Sequence, residues 1–139
     1  MFVLDASVAL VALFGEAEAA MAEEVISRIG EAEAVAPAHF GLQIADLLSR
    51  QVQIGALGES AAIAMAGEVA RWPVVIDAGT AEEALHRTLA FAMAHRLSAW
   101  DAAYLELSLR RGAALATFDR RLATVAQIHG VRLLIPLNG

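Results

Sequence analysis

The chain has 139 residues, enough for one domain that buries about two thirds of the surface its unfolded form would expose, and too few for a second. It contains no cysteine and no lysine, which excludes disulfides, thiolate metal sites, Schiff-base chemistry and the phosphate loop with its essential lysine. A net charge of −6 disfavours a broad basic surface for nucleic acid unless metal neutralises some of the acids, and 58 % hydrophobic content implies apolar surface that meets a partner.

Short apolar runs bounded by turn residues alternate with stretches of helical period, which predicts repeated strand and helix units around a parallel sheet. Phe2 to Leu4 reads as the first strand and Ser7 to Phe14 as a helix. The next helix, Ala17 to Ile29, opens with Glu16 and Glu18, acids that suit the positive end of a helix dipole. Val35 and Ala36 form a short strand, and Pro37 is expected as the first residue of a helix that runs to about Gln53 and stops at Gly55. Glu59 to Arg71 is an amphipathic helix and Val74 to Ile76 a strand. Thr80 and Glu83 read as a capping box for the helix that follows. Ser98 caps Ala99 to Arg111, Ala113 to Thr117 is a strand, Arg120 to Ile128 a helix, and Val131 to Ile135 a last strand stopped by Pro136. The expectation is one α/β domain over residues 1–139 with about five short strands. The apolar start has no basic segment and carries Asp5, against a signal peptide, and no stretch has the length of a membrane span, so a soluble protein is expected.

Asp5 ends the first strand inside an apolar run, and Asp119 follows the strand ALATF in the same way. Both fall at carboxyl ends of parallel strands, where open α/β sheets place their ligands. Asp101 lies in the first turn of a helix that begins at the same edge. Three carboxylates in a low-dielectric crevice raise one another's pKa unless a cation lies between them. Oxygen ligands without histidine or cysteine suit Mg²⁺ or Mn²⁺ rather than zinc, and such an ion lowers the pKa of water beside a phosphodiester. Each aspartate taken alone also fits a plain helix cap or turn former.

The stretches FVLDASVALVALFGE, VAPAHFGLQIADLLSR and LSAWDAAYLELSLRRGAALATFDRRL together resemble the PIN-domain family, specifically VapC-type toxins of bacterial toxin-antitoxin pairs. The resemblance implies a three-layer α/β/α fold with a central mostly parallel sheet. It also implies an Mg²⁺- or Mn²⁺-dependent endoribonuclease acting on tRNA or rRNA, a homodimer, a cytoplasmic location, and a VapB-type antitoxin through which alone operator DNA would be met. Carried over by position, Asp5, Asp101 and Asp119 match the acidic motif, and Thr117 matches the small hydroxyl residue that orders it. The family's remaining acid is a glutamate in the helix after the proline; here that position is Gln43. A glutamine keeps the shape and one ligand oxygen but removes a charge beside a dication, so metal affinity and water activation should both fall. Either a silencing substitution or a natural loss of activity that left a binding module accounts for it.

Arg96, Arg120 and Arg121 lie near the presumed metal edge and are candidates for RNA phosphates, whereas Arg110 and Arg111 read as solvated helix ends. Asp46, one turn from Gln43, is expected to be solvated. His39, His86, His95 and His129 have no metal-ligand spacing and read as surface or boundary residues. A receiver domain is excluded by the missing lysine and a haloacid-dehalogenase phosphatase by Ala6 and Ser7 in place of D-x-D. A non-catalytic PIN scaffold that binds RNA or a protein remains the competing reading.

Overall fold

Four strands of three residues each, Phe2–Leu4 (β1), Ala34–Ala36 (β2), Val74–Ile76 (β3) and Ala114–Ala116 (β4), form a parallel sheet in the order β3-β2-β1-β4. A computed structural model describes residues 1–15 and 17–137 of the chain. Strand side chains alternate between faces, so Phe2, Leu4, Ala34, Ala36, Ala114 and Ala116 enter one core while Val3, Val35 and Leu115 enter the other. Both faces of the central strands are covered, which is why they are apolar runs rather than alternating ones. The helices Ala6–Phe14 (α1), Ala19–Ser27 (α2) and Phe40–Gln53 (α3) close the first face with Val8, Val25, Phe40, Ile44 and Leu48. Ala99–Arg111 (α6) and Arg120–Ile128 (α7) close the second with Leu105, Leu107, Leu122 and Val125. The three-layer α/β/α expectation is met.

Between these lie Glu59–Arg71 (α4), which has no buried residue, and a continuous helix α5. The latter is made of Thr80–Glu83, a π-helical turn Ala84–Thr88, and Leu89–His95. The boundaries expected for β1, α4, β3, α6 and α7 coincide with those observed. Five expectations need correction. Val131 to Ile135 makes a single bridge, Leu115 to Leu133, in place of a fifth strand. In a parallel ladder alternate residues bond to opposite sides, so three-residue β4 offers its outer edge only Leu115, whose N–H and C=O meet Arg132 O and Leu134 N at 2.9 Å each. Pro37 precedes α3 by a turn, and α3 begins at Phe40, whose N–H bonds to Pro37 O. Helix α2 spans less than expected; Glu18 sits at its N-cap without a side-chain cap bond, and Glu16 lies outside the described residues. Thr80 is inside α5 rather than capping it, because its hydroxyl donates to Asp77 and accepts from Ala38 N at 3.1 Å.

Arg110 and Arg111 are the fifth correction. Arg110 is 24 % exposed and lies between two carboxylates that are each 1 % exposed, bonding Asp77 Oδ2 and Glu106 Oε1 at 2.6 Å. Arg111 adds a 3.2 Å contact to Asp77 Oδ1. This network ties the segment after β3 to α6, and the Arg110 guanidinium holds the Asp77 carboxyl well below the usual carboxylate range. A depressed carboxyl stabilises the fold above its unfolded pKa of 3.8, and that contribution is lost as pH falls further. Asp77→Ala removes the buried carboxylate that Arg110 and Arg111 share, leaves Arg110 half-solvated on Glu106 alone, and should cost about 2 kcal/mol in urea unfolding at pH 7. A loss below about 1 kcal/mol, the range of exposed pairs, would contradict this reading.

Candidate metal-binding site

β1 and β4 are neighbours in register, with Leu4 opposite Ala116, so the residues that follow them emerge side by side. Asp5 follows β1 and is 2 % exposed. It stands at the N-cap of α1, yet its side chain makes no cap bond. Its Oδ2 instead accepts from Ser7 Oγ at 2.5 Å and from Thr117 Oγ1 at 2.6 Å, while Oδ1 accepts no hydrogen bond among the described residues. Thr117 also accepts from Asp119 N at 2.9 Å, and Ser7 from Phe118 N at 3.0 Å, so the two hydroxyls stitch the end of β1 to the loop after β4. Ser7 was not singled out by the sequence reading; its position two residues after Asp5 was the available signal.

Asp119 caps α7 by accepting from Leu122 N at 3.0 Å, so for this residue the plain capping role is realised with one of its two oxygens. Asp101 lies at the third position of α6, where its N–H donates to the N-cap Ser98 Oγ at 3.1 Å. Burial pushes the Asp5 carboxyl up to about 6; the Ser7 and Thr117 hydroxyls oppose the shift, and the charges of Asp101 and Asp119 add to it. Asp101 is raised by burial and then by the charge of Asp119, with Ser98 and Arg121 acting the other way. The three aspartates thus share one edge and feel one another's charge. Among the described residues no three acidic or imidazole side chains stand close enough to hold an ion between them, so the aspartates do not close into a cage. With Oδ1 of Asp5 open and only oxygen donors at hand, the edge fits a hard dication such as Mg²⁺ or Mn²⁺ that keeps most of its waters and takes one or two carboxylates directly.

Gln43 reaches the same neighbourhood from α3. Its Oε1 accepts from Tyr104 Oη at 2.9 Å, and Tyr104 Oη accepts from Ala6 N at 3.3 Å. Tyr104 is fully buried, and burial with the nearby Asp5 charge raises its phenol pKa, so the hydroxyl stays a donor. The one ligand oxygen that the sequence reading credited to Gln43 is therefore committed to Tyr104, and the amide turns its N–H₂ donors away from that bond. Gln43, Asp46, Ser98, Trp100 and Asp101 line a cleft of about 210 Å³. Asp46 is exposed and pairs with Arg50 at 3.1 Å, as a solvated helix pair does.

Of the three candidate phosphate ligands, Arg121 acts with its charge on Asp101, and its Nη2 donates to His95 O at 3.2 Å. Arg120 opens α7 beside Asp119, and Arg96 terminates α5 in the left-handed region with φ 54°. The structure also pairs His95 with His129, Nε2 to Nε2 at 2.9 Å, and wedges His39 edge-on between Trp100 and Tyr104. No local spacing in the sequence foretells either contact.

The PIN domain sequence profile matches residues 2–128. No curated protein matches the chain significantly. Among solved structures, PAE2754 from Pyrobaculum aerophilum aligns with a TM-score of 0.66 at 19 % identity, over 88 % of this chain and 77 % of that one. VapC20 from Mycobacterium tuberculosis, a sarcin-ricin loop cleaving toxin, aligns with a TM-score of 0.63 at 20 % identity, over 90 % of this chain and 95 % of that one. At such identities these likenesses show a shared fold.

Proposed function

Since this chain belongs to the PIN domain family, we propose that it is a metal-dependent endoribonuclease, the toxin of a type II pair held in check by a VapB-type antitoxin. The observation that carries this reading is Asp5: a carboxylate at the end of a buried strand, clamped through Oδ2 by two hydroxyls, with Oδ1 open and two further aspartates acting on its charge. Helix capping explains neither its burial nor its raised pKa.

Asp5, Asp101 and Asp119 would hold Mg²⁺ or Mn²⁺, which when bound supplies the Lewis acidity that makes water nucleophilic near neutral pH and offsets charge on the leaving oxygen. The chain's own residues set the stage. Ser7 and Thr117 fix the Asp5 rotamer, Ser98 fixes the start of α6, and Arg121 with Arg96 and Arg120 offers guanidinium groups to RNA phosphates. An RNA of the tRNA or rRNA class is the substrate, and Gln43 leaves the enzyme weakened. The chain acts in the cytoplasm as a homodimer. A groove of about 410 Å³ between α3 and α4, lined by Leu48, Val52, Ala62 and Ile63, supports docking of an apolar antitoxin helix, since Ile63 is 74 % exposed. The commitment of the Gln43 oxygen to Tyr104 favours a second reading, a PIN scaffold that binds RNA without cutting it.

Incubation of structured RNA with the protein separates the two. Slow cleavage is expected in Mn²⁺, with none in EDTA and none by Asp101→Asn. Cleavage that persists in EDTA, or at the same rate in Asp101→Asn, would defeat the metal-dependent reading.

A further inference from the structure

A second pocket adjoins the acidic edge. Ala38, His39, Ala84, Thr88, Trp100 and Ala103 are among the residues that line a space of about 270 Å³ between the start of α3, the π turn of α5 and the first turns of α6. Its walls are largely alanine methyls, so the space exists because no large side chain fills it. It is smaller than the roughly 300–1,000 Å³ of pockets that enclose whole drug-sized ligands, and suits a single ring system.

Two buried polar atoms on its lining residues have no partner among the described residues. Thr88 is 4 % exposed and its Oγ1 makes no hydrogen bond among the described residues, nor does Nε2 of His39. Buried polar groups are nearly always satisfied, and each exception calls for an explanation. A helical threonine ordinarily bonds the carbonyl four residues back, but Thr88 closes the π turn Ala84–Thr88, whose wider ring alters that register. The remaining wall is Trp100, 46 % exposed and edge-on to His39 with ring centroids 4.8 Å apart. Trp100 also lines the cleft of Gln43 and Asp101, so one aromatic residue borders both spaces.

We propose that this pocket receives one nucleobase of the RNA next to the phosphodiester at the acidic edge, stacked on Trp100 and hydrogen-bonded to the Thr88 hydroxyl and His39 Nε2. The identity of the ligand rests on the nuclease reading. Base edges carry both donors and acceptors, a hydroxyl serves as either, and a neutral imidazole serves as either by choice of tautomer. Burial lowers the His39 pKa, which favours the neutral ring, while a hydrogen bond with the Trp100 backbone acts the other way. An apolar protein side chain in the same space would leave both atoms unpaired, which sets a base apart from a partner's leucine or phenylalanine. Stacking on tryptophan alone tolerates every base, whereas the two polar atoms distinguish among them.

Binding of short homopolymeric RNAs of each of the four bases, measured by fluorescence anisotropy in EDTA so that nothing is cut, tests the proposal. One base is expected to bind about tenfold or more above the weakest, and Trp100→Ala and Ala84→Leu, the second of which narrows the mouth from an exposed position, should each erase that preference. Equal affinity for all four RNAs, or a preference unchanged in both variants, overturns it. The two readings fail separately: metal-dependent cleavage without base preference removes the pocket alone, and a pocket-dependent preference without cleavage in any metal removes the nuclease alone.

Discussion

Gln43→Glu is expected to raise Mn²⁺-dependent RNA cleavage by about two orders of magnitude, the scale on which groups beside a metal change activity. The amide offers one acceptor oxygen, and Tyr104 donates to it. Tyr104 cannot readily turn away, because Ala6 N–H occupies its lone pair and the ring is sealed in the core among α6 neighbours. A carboxylate at position 43 has two oxygens, so one can keep the Tyr104 bond while the other faces the acidic edge. It also restores a negative charge near a dication, worth several kcal/mol gross at about 4 Å and an effective dielectric near 20. Initial rates on one RNA with both forms measure the effect, and equal rates would show that position 43 has no part in catalysis.

Asp5→Asn should stabilise the metal-free protein at pH 7 by up to about 3 kcal/mol, because the Asp5 carboxyl titrates near 6 in the folded chain against 3.8 unfolded. The sign follows from proton binding. Between these two values the folded state holds a proton that the unfolded state has released, so stability declines as pH rises from about 4 to about 6 and stays lower above. The Asn variant has no charge to desolvate and should lack that decline. Urea unfolding in EDTA across pH 4 to 7.5 gives the profiles, and parallel curves for the two proteins would mean that Asp5 is not penalised by burial.

Local signals in the sequence carried much of this fold. Ser98 bonds Asp101 N–H as an N-cap should, and α6 begins where that cap places it. Strand runs such as Phe2–Leu4 are legible because both faces of the sheet are buried and every residue is apolar. Thr80 misleads for the same reason that caps are readable at all: a hydroxyl near a helix start caps it unless a better partner exists, and Asp77 and Ala38 supply one from outside the helix. Asp5 and Asp119 were visible as strand-end acids and Asp101 as an acid in the first turn of a helix, and in the structure each acts on the charge of another. Contacts between distant segments were not legible. Arg110 looks like a solvated helix end until β3 brings Asp77 to it. Gln43 and Tyr104 are 61 residues apart, so nothing local shows that the amide oxygen is already taken. His95, at the end of α5, and His129, just past α7, meet across 34 residues.

Carboxylates that repel one another at a buried edge should gain stability from a hard dication, and the folded protein should bind it while the unfolded chain does not. Thermal unfolding of the protein and of Asp5→Asn at pH 7 with increasing Mn²⁺ examines this without need of an RNA. The account predicts a Tm that climbs with Mn²⁺ concentration in the protein and stays level in Asp5→Asn. A Tm indifferent to Mn²⁺, or one that climbs equally in both, would contradict a metal held by Asp5, Asp101 and Asp119.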